Sequence, residues 1–202
     1  MNRLILADKL PENVILTDDP MRVEMLAAHY LDNGRKLSEI RGMRTYGGTY
    51  KNVPVAAVAC GFGETAARLY LNEAYALGAR RFLYLGECVS VAEGFSLGDI
   101  IIAEGFSKAF APRLRAAAGR MNTLLRFARV CTDDCLWLGA NPAEGYGLFD
   151  FAHNGFYETA RALGADAVAV LAVSENINLR MEEGIRQSGL RAMSQLAFEV
   201  FV

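Results

Sequence analysis

A unit that occurs twice constrains the fold of this sequence most: a helix that ends at glycine and is followed directly by an apolar strand. In the first copy AYALGA at residues 74–79 precedes RFLYLG at 81–86, and in the second ARALGA at 160–165 precedes AVAVLAV at 167–173. Glycine is common just after a helix because it adopts a positive φ without steric cost. Helical connections are what parallel strands require. The two units therefore predict a sheet that helices bury on both faces.

The other segments fit the same plan. Residues 14–16 predict a buried strand, and TDDP at 17–20 predicts a helix start with an acidic N-cap and a proline in the first turn. We expect that helix to end near Asn33-Gly34, the Gly47-Gly48 pair to form a hairpin before a strand at 53–60, and a last helix to cover about 182–202. The sequence thus predicts an α/β fold of three layers, with a mixed, mostly parallel sheet covered by helices, in a single domain over residues 1–202.

Composition and charge exclude several classes of protein. The apolar content of 52% excludes a disordered chain, and the net charge of −2 gives no reason to expect nucleic acid or a membrane as partner. No apolar run reaches about 18 residues and the N-terminus lacks a secretory pattern, so we expect a cytoplasmic protein with reduced, buried cysteines. Because His29 and His153 have no partner at ligand spacing, no metal site is expected.

Ligands of such sheets bind beyond the carboxyl ends of the strands, where this sequence carries a series of short motifs. They are TDDPMR at 17–22, RGM at 41–43 with YGGTY at 46–50, CGFG at 60–63, GECV at 86–89, TDDCLW at 132–137, FDFAHNG at 149–155 and SEN at 174–176. In this order they resemble the ligand-binding motifs of the nucleoside phosphorylase superfamily, in particular its purine nucleoside phosphorylase-like branch. Each motif alone is weak, but the ordered series runs over about residues 12–190.

The resemblance implies a phosphate site whose residues are largely changed here. Arg22 stands at the first phosphate arginine, and Arg41 at the arginine that a neighbouring subunit lends. Asp18 replaces the loop glycine, Tyr84 the second arginine of the same chain, and Glu87 the hydroxyl residue. Two carboxylates beside a phosphate disfavour its binding unless they are protonated or paired with Arg22 and Arg41. Such internal salt bridges are the alternative interpretation of Asp18 and Glu87.

The superfamily activates the leaving base with the aspartate of its Ser-Asp motif, steered by an arginine on the following helix. Glu175 stands at that aspartate and Arg186 at that arginine, which implies a general acid with its orienting partner. Hydrolytic relatives carry an acidic residue in the first loop that orients a water, so Asp18 or Glu87 could act as general base. The alternative is that Glu175 caps the end of its strand and pairs with Arg186.

The sugar and base positions are changed as well. Ala152 replaces the glutamate that binds the ribose hydroxyls, Asp150 stands at the preceding glutamate, and Phe151 replaces a packing methionine. The resemblance further places three apolar side chains against the sugar or the base: Phe62, Leu136 and Trp137. Aromatic residues at such positions are also typical of a plain hydrophobic core, which is the alternative we favour for them. We interpret His153 as a packed or surface histidine rather than a catalytic one.

Three functions remain open at this point, and one of them, a functioning phosphorylase, requires that the carboxylates be neutralised or that one of the motifs be aligned differently. The first is cleavage of the N-glycosidic bond of a nucleoside or related compound, more by hydrolysis than by phosphorolysis. The second is a nucleoside-binding or structural homologue that has lost catalysis, since a phosphate arginine, the loop glycine and the ribose glutamate are all missing. The resemblance implies a small-molecule nucleoside or base as ligand, no cofactor, and a homo-oligomer, either a dimer or a trimer of dimers, in which Arg41 reaches a neighbouring site.

Overall fold

The computed structural model describes residues 3–133, 143–176, 179–180 and 183–202, with the backbone alone for 179–180 and 183–188. Its strands are β1 Asn13–Thr17, β2 Asp32–Ile40, β3 Met43–Tyr50, β4 Val53–Ala59, β5 Arg81–Ser90, β6 Ile100–Ala103, β7 Arg126–Ala128, β8 Cys131–Thr132, β9 Leu148–Asp150, β10 Asp166–Asn176 and β11 Leu179–Arg180. Its helices are α1 Pro20–Tyr30, α2 Glu64–Ala76, α3 Phe110–Met121, α4 His153–Leu163 and α5 Glu183–Glu199.

The strands of the described residues form one mixed sheet in the order β2-β3-β4-β1-β5-β10-β6-β7. Its centre is parallel, because β1 pairs with β4 and β5 in the same direction, and β5 pairs likewise with β10. The antiparallel strands β2 and β3 extend one side of this centre, and the antiparallel β6 extends the other. Three short strands lie off the main order: β11 on β10, β9 on β5, and β8 on β9.

Helices cover both faces of the sheet, which confirms the predicted three-layer α/β fold. One core contains Val14, Phe82 and other alternate strand residues packed against α2 and α4. The other contains their neighbours, such as Ile15 and Leu83, packed against α1, α3 and α5. Successive side chains of a strand point to opposite faces, so apolar runs such as 82–85 are buried completely.

Both helix–glycine–strand units form as predicted. Gly78 follows α2 with a φ of 112°, and Gly164 caps α4 with a φ of 68°. The chain then enters β5 and β10, which are parallel neighbours at the centre of the sheet. The predicted start of α1 is also correct, since Asp19 caps the helix through a 2.7 Å hydrogen bond from the Met21 amide.

Two local predictions are wrong. The Gly47-Gly48 pair lies inside β3, and the hairpin turns are at Arg41-Gly42 and Lys51-Asn52, where all four residues have positive φ. A Cβ on Gly48 would lie 2.8 Å from the Asp32 carbonyl oxygen, so the glycine pair permits close packing rather than a turn. Helix α1 ends at Tyr30, and Asn33-Gly34 belongs to β2.

No helix in the described part of the chain is both long enough and apolar enough to cross a membrane.

Candidate functional site

The candidate site lies at the carboxyl ends of the central strands. Thr17, the last residue of β1, is level with Ala59 of β4 on one side and Leu85 of β5 on the other. Asp18 and Glu87 follow these positions directly, and β10 reaches the same edge, since its Glu175 is paired with Val89 of β5. The strand register therefore brings together the acidic residues that the sequence places far apart.

Arg22 binds two carboxylates at this edge. Its Nη1 donates to Asp18 Oδ1 at 2.8 Å, and its Nη2 donates to Glu87 Oε1 at 2.5 Å. Nη1 also lies 2.9 Å from Thr17 Oγ1 and 3.3 Å from the Leu85 carbonyl oxygen. Only 6% of Arg22 is exposed, because it sits in the first turn of α1 directly against the sheet. The predicted internal salt bridges thus form with Arg22.

Burial raises the pKa of Asp18 above the usual range. Only 8% of the residue is exposed, and this loss of hydration outweighs the Arg22 charge, which lowers the pKa. The neighbouring Glu87 and Asp19 carboxylates raise the pKa further. A carboxyl with a raised pKa that remains hydrogen-bonded to Arg22 can take up and return a proton closer to neutrality than an exposed one.

Tyr84 fills the position of the second phosphate arginine with an apolar ring. It is 2% exposed and packs against Phe156 of α4, with the ring centroids 5.6 Å apart. A Cβ on Gly86 would lie 2.6 Å from Tyr84 Cε1, so the glycine of this segment makes room for the ring. Burial also raises the pKa of Tyr84 well above its usual value, so the hydroxyl remains neutral. No positive charge remains at this position.

Arg41 lies in the two-residue turn between β2 and β3. It has a φ of 52°, and the next residue, Gly42, has a φ of 79°, as a tight hairpin requires. The side chain is exposed and forms no ion pair with the described part of the chain. Asp18 and Glu87 form their described ion pairs with Arg22.

Glu175 follows an irregularity in the pairing of β10 with β5. The register shifts between Val173 and Glu175, and Glu175 then lies opposite Val89 on one side and Arg180 of β11 on the other. Bulges of this kind re-aim a side chain near the end of a strand. The Glu175 side chain is partly exposed at the site edge. Its pairing with Arg186 stays a prediction, because Arg186 lies in α5 where the structure describes only the backbone.

The Asp150 carboxylate is hydrogen-bonded within the protein. It is 1% exposed; its Oδ1 accepts from Thr132 Oγ1 at 2.8 Å and lies 2.6 Å from His153 Nδ1, and its Oδ2 accepts from the His153 amide at 2.9 Å. These contacts hold the start of α4, where a carboxylate satisfies backbone amides. The substrate role predicted for Asp150 stays a prediction, and it would require some of these hydrogen bonds to break.

Phe62 is exposed, contrary to the interpretation as a core residue. Its neighbours Gly61 and Gly63 have φ values of 82° and 90°, and this turn leaves 75% of Phe62 in solvent. Its ring makes an edge contact with Phe151, with the centroids 6.5 Å apart. An exposed phenylalanine such as Phe62 is what a ligand or a subunit contact would cover. The other two apolar candidates, Leu136 and Trp137, lie outside the described residues.

Comparison with known proteins agrees with this geometry. The family model of the phosphorylase superfamily matches residues 12–125, more than half of the chain. This chain belongs to the phosphorylase superfamily. It is 28% identical over 218 residues to a DeoD-type purine nucleoside phosphorylase of Photorhabdus laumondii, which covers 92% of this chain and 90% of the relative. It is 25% identical over 220 residues to one of Aliivibrio salmonicida, covering 95% and 93%.

The superfamily motifs gave no indication of the contacts that His153 makes in the site. This residue is 2% exposed, and its Nδ1 also lies 3.0 Å from Thr132 Oγ1. The packed histidine is confirmed, whereas its bond to Asp150 was missed. The spacing of three residues at a helix start is the local signal that could have revealed it. Among the described residues, no three His, Cys, Asp or Glu side chains are grouped as a metal site requires.

Proposed function

We propose that this member of the phosphorylase superfamily cleaves the N-glycosidic bond of a nucleoside with water, rather than phosphate, as the acceptor. The observation that carries the proposal is the pairing of Arg22 with both Asp18 and Glu87. The arginine that would hold a phosphate dianion is neutralised, and two carboxylates occupy the space around it.

Electrostatics argues against phosphate at this position. At an effective dielectric constant near 20, a carboxylate about 4 Å from one unit of negative charge costs roughly 4 kcal/mol. An incoming phosphate would meet two such groups, and it would also have to displace them from Arg22. Tyr84 supplies no compensating charge, since the residue is buried and its hydroxyl is neutral. Water carries no charge and meets none of this repulsion.

The carboxylates can instead activate the water. The water oxygen attacks the anomeric carbon, and the bond from that carbon to the base nitrogen breaks with its electron pair left on the base. The proton lost by the water passes to Asp18 or Glu87. The raised pKa of Asp18 suits this step, because a base works best when its pKa approaches the operating pH.

Glu175 is the proposed general acid. It stands at the same edge of the sheet as Glu87, on the neighbouring strand, so a nucleoside between them would present its base to one and its anomeric carbon to the other. A proton from Glu175 to the departing base neutralises the charge that develops on it. Arg186 would orient this carboxyl from α5. The names of the relatives support a purine base.

We further propose that one domain spans the chain, that no cofactor is needed, and that the chain works as a homo-oligomer. The exposure of Arg41 supports the oligomer, since a side chain that forms no ion pair within the described residues is available to a neighbouring subunit. The exposed Phe62 and Met21, at 75% and 62%, also lie near this edge and would be covered by a ligand or a second chain.

One observation favours the second candidate, a nucleoside-binding homologue without catalysis. The Asp150 carboxylate is hydrogen-bonded to Thr132 and to the start of α4, and the Ala152 side chain has no polar group that could bind the sugar. Loss of charge-assisted hydrogen bonds of about 1.5–3 kcal/mol each would weaken the binding that positions the sugar.

The deciding experiment measures release of free base from a panel of purine and pyrimidine nucleosides, including 2′-deoxy and 5′-modified forms, by chromatography. Each is incubated with and without phosphate. Release that is independent of phosphate supports the proposal. Release that requires phosphate contradicts it, and absence of release together with saturable nucleoside binding would favour the non-catalytic candidate.

A further inference from the structure

A pair of adjoining grooves lies at the opposite edge of the sheet from the candidate site. The larger, of about 540 Å³, is formed by the residues that open β1, β4 and β5. The smaller, of about 270 Å³, lies beside β2 and β3. Three residues line both grooves, namely Lys9, Pro11 and Pro54, so the two grooves form one continuous depression.

The charge of this depression is opposite to that of the whole chain. Four cations line it, Lys9, Arg35, Arg80 and Arg81, against one carboxylate, Glu12, which gives a net charge of 4 − 1 = +3. The chain as a whole carries −2. Asp8, which precedes Lys9 in sequence, and Asp32, which lies three residues before Arg35, line neither groove. A local excess of one sign concentrates ligands of the other sign.

Among the residues that the structure describes, only one of the four cations forms an ion pair. Arg81 donates to Glu12 Oε2 and to Asn13 Oδ1, both at 2.7 Å. Lys9 and Arg35 are exposed, and neither forms an ion pair within the described part of the chain. The depression therefore presents available positive charge in both grooves, with Lys9 at their junction.

Two hydrogen bonds and an aromatic contact hold the Arg80 guanidinium in a fixed orientation. Its Nη1 donates to the carbonyl oxygens of Tyr75 at 2.9 Å and Ala79 at 2.7 Å, and its guanidinium lies 4.2 Å from the centre of the Tyr75 ring. These contacts use one of its nitrogens and fix the plane of the group. A fixed guanidinium loses less entropy when it binds an anion than a free side chain does. Its remaining N–H groups have no acceptor among the described residues.

We propose that this depression binds a small oligophosphate, with phosphate groups at Arg35, Lys9 and Arg80 in succession. Three separate cations along one continuous depression match an extended anion with several charges better than a single compact one. Apolar residues Leu10 and Val53 line the larger groove beside Arg80, where the organic part of a phosphorylated ligand would rest. The proposal is independent of the reaction at the other edge of the sheet.

Titration calorimetry on the full chain tests the proposal with inorganic tripolyphosphate and with a nucleoside triphosphate. Both should bind at one site, more weakly as salt is added. Tighter binding of the nucleoside triphosphate would assign the organic part to the apolar lining, and equal binding would assign recognition to the phosphates alone. Lys9→Ala and Arg35→Ala should each weaken binding about ten-fold, the value of one charge-assisted hydrogen bond.

The matched control is Lys36→Ala. Lys36 follows Arg35 on β2, points to the other face of the strand and pairs with Glu39, so this substitution removes the same charge outside the depression. It should leave binding unchanged. Absence of tripolyphosphate binding, equal weakening by Lys36→Ala, or tighter binding of a hexaglutamate peptide than of tripolyphosphate would overturn the proposal.

Discussion

The family resemblance assigns Arg22 to a phosphate-binding position, but both of its terminal nitrogens are used by carboxylates of the same chain. The interaction with Asp18 could be foreseen, since residues four apart on a helix start lie side by side. The interaction with Glu87 could not be derived from local sequence, because it joins residues 65 apart through the order of the strands. It could be predicted only through the family resemblance, which implies the order of the strands.

The first prediction concerns the exclusion of phosphate by Glu87. The unsubstituted protein should show no phosphate binding at millimolar concentration and neutral pH by calorimetry. Glu87→Gln removes one negative charge and frees Nη2 of Arg22, while Asp18 still compensates the buried guanidinium, so phosphate binding should become at least about ten-fold stronger. Glu93→Gln, an exposed substitution on the following loop, is the control. Saturable phosphate binding by the unsubstituted protein would refute the proposed exclusion.

The second prediction concerns Glu175. If it donates the proton to the leaving base, Glu175→Gln should lower base release at least about 100-fold, the usual range for a general acid. The melting temperature should hardly change, because the side chain is partly exposed. A variant that melts normally and still releases base at the original rate would remove Glu175 from this role. The same Glu93→Gln variant controls for loss of a carboxylate.

At the scale of elements, the helix–strand units were predictable and the hairpins were not. The units carry a local signal, glycine at a helix end before an apolar run. The hairpin turns use Arg41 and Lys51 at positive φ, which few sequence patterns would favour. The glycine pair that suggested a turn is instead required by a contact with Leu31 and Asp32, which lie at the end of α1 and in β2.

The third prediction tests that contact. Gly48→Ala would place a Cβ 2.8 Å from the Asp32 oxygen and 3.0 Å from Leu31 Cβ, so β2 would have to shift. Denaturant unfolding should show a loss of about 1–3 kcal/mol, the usual cost of overpacking. Gly119→Ala is the control, because it lies in α3 with open space around its Cβ and should stabilise by about 0.5–1 kcal/mol. Equal effects of the two substitutions would contradict the explanation.

The fourth prediction concerns the hydrogen bonds and ion pairs by which Glu199 links α5 to α3 and to the β3–β4 hairpin. Glu199 at the end of α5 accepts from Tyr50 at 2.6 Å and Lys51 at 2.5 Å in the β3–β4 hairpin, and from Arg120 of α3 at 2.7 Å. These contacts lower the pKa of Glu199 to about 2, although burial opposes this. The stability they contribute is complete above the unfolded-state pKa of about 4.3 and is lost as the pH falls towards 2.

Glu199→Gln should therefore lose about 2 kcal/mol at pH 7, a value reduced for the exposure of Lys51 and Arg120. It should also flatten the fall in stability between about pH 4.5 and 2. Glu158→Gln removes an exposed carboxylate paired with Arg68 and should change stability by no more than about 0.5 kcal/mol. Urea unfolding at a series of pH values measures the stability of both variants. If the stability of Glu199→Gln fell with decreasing pH as steeply as that of the unsubstituted protein, the stabilising role of the Glu199 contacts would be contradicted.

At the scale of the whole molecule, the fifth prediction is that sites are shared between subunits. Arg41→Ala and Glu175→Gln should each be inactive alone. If Arg41 acts on a neighbour's site, mixed dimers contain one intact site, so subunits mixed after gentle dissociation should regain about a quarter of full activity. Light scattering should show the same mass for all variants. No recovery in mixtures of confirmed heteromers would place Arg41 outside the neighbouring site.

The Arg22 cluster also contributes to the charge that a bound substrate would encounter. With both carboxylates ionised, its guanidinium and two carboxylates contribute −1 at the floor of the site. When an N-glycosidic bond breaks, positive charge develops on the sugar ring, on the anomeric carbon and its neighbouring oxygen. A floor that repels an anionic nucleophile thus attracts the cationic ring of the transition state. Under the proposed hydrolysis, the substitutions that disfavour phosphate would therefore also lower the barrier to cleavage by water, so loss of phosphate binding and gain of hydrolysis would require no separate changes.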